Sequence, residues 1–180
     1  MISVFLYIWS VKVATKHSKN VRHNLMKIVE LGNIKLEIDR IETKKFYETQ
    51  NGFICDCLDC VNYVSKISDI QSELNGLEKE LGIDLTKAVG QGMDELMPHD
   101  YDNYHLYVIP YYVIGKCFIN GNELEKQSFE PNWKKTKKAE YLLTENLSLN
   151  IIETNKYVEI ENAENILTIW LEYKTELIKK

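Results

Sequence analysis

Residues 104–121, YHLYVIPYYVIGKCFING, carry β-branched and aromatic side chains almost without a break and close on Asn120-Gly121, the pair that best supports a tight hairpin turn. A stretch of that length commits the chain to a sheet. Proline has no N–H to give a ladder, so the stretch predicts one or two strands bent near Pro110. Elsewhere, 27–38 reads as a hairpin around Leu31-Gly32-Asn33, its second strand alternating Ile34, Leu36 and Ile38 with Lys35, Glu37 and Asp39. YLLTENLSLNIIE (141–153) and ENILTIWLEYKTEL (164–177) are further strands, with a short KYVEI piece between them.

Helical spacing interrupts the strands once. Residues 41–50 suit a short helix or turn. From Cys57 the apolar positions Cys57, Cys60, Val61, Val64 and Ile67 predict a helix with one buried face, with Asp56 as its N-cap. A polar break at Ser68–Ser72 separates a second helix, through Leu74, Leu77 and Leu81 to Gly82. Acidic residues 84–103 read as loop, and Lys134, Lys135, Lys137 and Lys138 as a solvated basic knot. Strands and helices in this order, without β-α-β alternation, predict an α+β fold: a mainly antiparallel sheet packed against a helical hairpin.

The length of 180 residues and 44% apolar content suit one domain, expected over 26–180. Residues 1–25, with four basic side chains and no acid, read as an N-terminal extension. Their apolar run precedes the charges, the reverse of a secretory signal, and no span of membrane length occurs. The expected location is the cytoplasm, where cysteines stay reduced thiols. A net charge of −5 disfavours nucleic acid and favours a basic protein partner.

CDCLDCVNYV (55–64), then LGIDLTKAV (81–89), then YHLYVIPYYVIG (104–115), resembles a family of small stand-alone bacterial proteins of uncharacterised function. That family carries a C-x-C-x-x-C-x-N-aromatic stretch, an L-G-I-D-P-like stretch and an H-L-Y stretch entering a tyrosine-rich strand that ends in glycine. The resemblance covers roughly 26–175 and matches Cys55, Cys57, Cys60, Asn62, Tyr63, Gly82, Asp84, His105, Tyr107, Tyr111 and Gly115. Tyr112 stands where a histidine is expected, and Cys117 has no counterpart. The resemblance implies a bacterial cytosolic origin and the fold, and brings no known activity with it.

The cluster CDCLDC admits three readings. Core packing of Cys57 and Cys60 is the one the residues favour, leaving no cofactor and Asn62 bonded to local backbone. A zinc site on Cys57, Cys60 and His105 is the second; Cys57-x-x-Cys60 is half a site, and Cys55 joins only where the chain bends to aim its sulfur inward. A thiolate enzyme with His105 as base is the third, opposed by the charges of Asp56 and Asp59. Asp100-x-Asp102 with His99 and His105 is a further divalent-ion candidate, although 93–105 lacks the glycine of a tight calcium loop.

Asp94, Glu95, Asp100, Tyr101, Asp102 and Tyr104 form an acidic, tyrosine-bearing loop suited to gripping a basic protein. No phosphate loop, G-x-S-x-G, H-E-x-x-H or paired-carboxylate motif occurs. The leading expectation is thus a non-enzymatic, protein-binding chain, concretely an immunity protein that neutralises a bacterial toxin. The alternative is a zinc-binding protein or thiol enzyme built on the cysteines.

Overall fold

The computed structural model describes residues 26–53, 55–87, 96–125, 138–153, 160 and 163–177. The expected extension over 1–25, the KYVEI piece up to Glu159 and all of the basic knot except Lys138 lie outside them. The described residues form an α+β fold of eight strands and three helices, with every strand pair antiparallel. None of these helices is long and apolar enough to cross a membrane.

β1 (Lys27–Leu31) and β2 (Ile34–Ile38) make the expected hairpin, followed by α1 (Arg40–Glu48), α2 (Leu58–Leu74) and α3 (Leu77–Leu81). β3 (Met97–Asp100), β4 (His105–Ile119), β5 (Asn122–Glu123), β6 (Ala139–Leu142), β7 (Leu147–Glu153) and β8 (Ile166–Thr175) complete the chain. The sheet runs β1-β2-β4-β8-β7-β6, with β3 and β5 also on β4. Asn120 and Gly121 both take positive φ, as the predicted tight turn requires.

Pro110 does not split β4 into two strands. The strand runs through it, Pro110 facing Trp170 of β8. In an antiparallel strand each residue turns both backbone groups to one edge, and successive residues alternate edges. Even-numbered residues of β4 face away from β8; Leu106 and Val108 meet β3, and Lys116 and Phe118 meet β2. Pro110 lies in the gap between those partners, where no described strand asks for its N–H. Helix α1 closes the rest of that gap. The Tyr47 hydroxyl accepts from the Tyr112 N–H at 3.0 Å and donates to its carbonyl at 3.1 Å, while Thr43 Oγ1 accepts from the Ile114 N–H at 3.0 Å.

Gly115 marks where β4 passes from β8 to β2, opposite Ile38. A Cβ there would sit 2.3 Å from the Glu37 carbonyl oxygen, so only glycine allows the strands to approach this closely. Odd-numbered side chains of β4 and β8, including Tyr107, Ile109, Tyr111, Leu167, Ile169 and Leu171, point into the core beneath the helices.

Three local expectations are corrected. Helix α2 continues through Ser68–Ser72, because Ile67, Ile70 and Leu74 keep an i, i+3, i+7 apolar face while the polar residues turn to water. Its buried face is Cys60, Tyr63, Ile67, Ile70 and Leu74; Val61 is 56% exposed, and Cys57 and Val64 are exposed too. Within the expected loop 84–103, Met97–Asp100 is an edge strand, a place that tolerates Pro98. In addition, 141–153 divides into β6 and β7, a hairpin turning at Thr144–Asn146.

Candidate thiol cluster

Cys57, not Asp56, is the N-cap of α2, in extended conformation and without a side-chain capping bond. Its sulfur therefore stands at the end of the helix where backbone N–H groups are unpaired and the dipole is positive. Cys60 follows in the first turn, on the buried face. Cys55 is brought in by the bend that joining the cluster requires: its Sγ accepts the Cys57 N–H at 3.4 Å. The three sulfurs lie within 4.8 Å of one another, Cys55 and Cys57 exposed and Cys60 buried.

The environments of the sulfurs differ. Hydrogen bonding from the Cys55 thiol, then from the backbone and thiol of Cys60, holds Cys57 below the usual thiol range. Burial, followed by the neighbouring thiols, pushes Cys60 up to about 12. One thiol is poised to ionise at the surface while another keeps its proton below it. Cys117 lies elsewhere, buried in β4 opposite Leu36.

His105 is only 2% exposed and has a carboxylate on each side. Its Nδ1 bonds Asp100 Oδ1 at 2.5 Å, across the β3–β4 register that sets the two residues opposite each other. Among the described residues Nε2 has no hydrogen-bond partner, and it lies 3.6 Å from Asp59 Oδ1, in the first turn of α2. Asp59 thus links the histidine to the cysteine turn. Among the described residues, only the three cysteines bring three potential metal-ligand side chains together. His105 is outside that set, and Asp100, Asp102, His99 and His105 do not converge as the second metal candidate needs.

Asn62 does not bond local backbone through its amide. Its Nδ2 donates to the Tyr107 hydroxyl at 2.6 Å, tying the cysteine-bearing turn to β4. In the acidic loop, the Tyr101 and Tyr104 rings stack with centroids 4.5 Å apart, flanked by exposed Asp100 and Asp102. Asp94 and Glu95 lie outside the described residues. The spacing Cys-x-Cys-x-x-Cys offered the sulfur cluster as one candidate among three, with Cys55 admitted only through a bend, whereas nothing in the sequence signalled Asp59 as a neighbour of His105.

No family model, curated protein or solved structure matches this chain.

Proposed function

We propose that the chain binds a soft divalent metal ion of the zinc class through Cys55, Cys57 and Cys60. The observation that carries this reading is the approach of three sulfurs to within 4.8 Å of one another. Around a tetrahedral zinc, with Zn–S near 2.3 Å, ligand sulfurs stand about 3.8 Å apart, so a small closing movement suffices. Thiolate is the ligand type that selects zinc over magnesium or calcium. Three protein ligands leave the fourth position to another group, the pattern of sites that exchange a ligand. The cytoplasm keeps such thiols reduced and suits this reading.

Metal analysis of the purified chain tests it, with cobalt substitution to count thiolates by their charge-transfer absorption. One ion per chain and a three-thiolate spectrum support the site, with Cys55→Ser, Cys57→Ser or Cys60→Ser each weakening zinc on the order of tenfold or more. A chain that retains no zinc and whose Cys55 and Cys57 react at equal rates with and without added zinc sinks the proposal.

A second reading has its own support. Tyr101 is 47% exposed and stacked on Tyr104 beside two acidic residues, an amphipathic aromatic surface suited to a basic protein. In its concrete form the chain neutralises a basic bacterial toxin. Tyr101→Ala together with Tyr104→Ala would then abolish salt-sensitive capture of a basic protein from the native host. Capture that ignores both salt and the substitutions counts against it.

A further inference from the structure

Beyond metal binding, we propose that Cys57 and Cys60 form a dithiol that reduces disulfide-bearing substrates and is itself oxidised to an intramolecular disulfide. The geometry assigns different work to the two sulfurs. Cys57 stands at the exposed N-cap, where an external disulfide can reach it. Cys60 lies one turn further in, buried from such a substrate yet within 4.8 Å of the Cys57 sulfur. Two residues separate them on a helical first turn, which lets the sulfurs close without unwinding α2. Cys55 is less suited to closure with Cys57, since one intervening residue demands a strained ring. Its sulfur instead accepts the Cys57 N–H.

The Cys57 thiolate attacks one sulfur of a substrate R–S–S–R; a Cys57–S–R bond forms, the substrate bond breaks, and R–S⁻ leaves to take up a proton. Cys60 then attacks Cys57 Sγ, forming the internal disulfide and expelling the second R–S⁻, which takes up the proton that Cys60 loses. Two electrons pass from the dithiol to R–S–S–R, giving two R–SH. Burial of Cys60 keeps it from making the first attack, and proximity makes the second intramolecular.

The test uses the full chain, reduced and treated with chelator, so that its outcome does not depend on zinc affinity. Oxidised glutathione is the probe, with acid quenching and mapping of non-reduced peptides. The wild-type chain is expected to yield a Cys57–Cys60 disulfide and two glutathiones per chain. Cys60→Ser should accumulate a mixed disulfide at Cys57, and Cys57→Ser should slow reaction on the order of tenfold or more. Cys60→Ala repeats the trapping test should the serine variant misfold, and Cys117→Ser should behave as wild type. A wild-type chain that stops at a mixed disulfide, a trapped adduct on Cys55, or a rate no faster than that of the chain in denaturant overturns the proposal.

Discussion

The Tyr63 hydroxyl lies 2.6 Å from that of Tyr111, joining the cysteine-bearing helix to the middle of β4 with both rings buried. Tyr111 donates its own proton to the Leu85 carbonyl at 3.1 Å, so Tyr63 is the donor in the pair. The two phenylalanine substitutions are therefore unequal. Tyr63→Phe should cost about 1 kcal/mol, leaving only an acceptor unfilled. Tyr111→Phe should cost roughly 2 kcal/mol, because the buried Tyr63 donor and the Leu85 carbonyl both lose their partner. Urea unfolding of both variants checks the order, and equal losses would refute the assigned direction.

Gly115→Ala should destabilise by on the order of 1–3 kcal/mol, an overpacking cost rather than a propensity effect. The obstacle is backbone: the added carbon meets the Glu37 carbonyl at 2.3 Å, and backbone yields less readily than a side chain. Hydrogen exchange should show the loss concentrated in β1 and β2. A variant as stable as wild type would mean that β2 and β4 can separate without penalty.

Asp100→Ala should loosen β3 while sparing the rest of the sheet. The Asp100–His105 bond crosses that strand pair, and His105 is buried, so the lost carboxylate leaves Nδ1 without its partner. Amides of Leu106 and Val108, whose strand partners are His99 and Met97, should exchange on the order of tenfold faster. Unchanged protection at both would show that the side-chain pair does not hold the strand.

Alkali should unfold the protein cooperatively. Burial raises Tyr47, Tyr63 and Tyr111 above the usual phenol range, the first and third well above it. A folded-state value above the unfolded one gives stability that is complete below the unfolded value, about 10, and is lost as pH rises beyond it. Tyrosinate absorbance should therefore show exposed tyrosines ionising first and these three only as circular dichroism is lost. Ionisation of all eleven tyrosines in one gradual step with the fold intact would contradict this.

Period-two alternation made β2 readable, since it buries one face, and the Ile169–Tyr173 part of β8 follows the same pattern, whereas Ile166–Ile169 is buried on both faces. The buried face of α2 was misread for a physical reason: Val61 and Val64 outrank Tyr63 on apolarity, yet Tyr63 can be buried because Tyr111 takes its hydroxyl proton. Pro110 read as a bend because the stretch of β4 between its β3 and β2 partners, which accommodates the proline, is set by strand register and not by local sequence. In the site, Cys-x-Cys-x-x-Cys offered a sulfur cluster, but the exposure of Cys57 and the bend that brings in Cys55 are not encoded in the spacing. The approach of Asp59 and Asp100 to His105 depends on tertiary packing and strand register, which no local pattern encodes.

β4 also sets the order in which the chain can fold. Its longest partner, β8, is made last among the described strands, so while the intervening residues leave the ribosome one edge of His105–Ile114 has no ladder. That edge is apolar, rich in β-branched and aromatic residues, and open to pairing with other chains. Completion of the sheet must await sequence-distant closure, which is slow. A nascent chain halted before Ile166 would present this edge to chaperones, and its yield in the cell should depend on them.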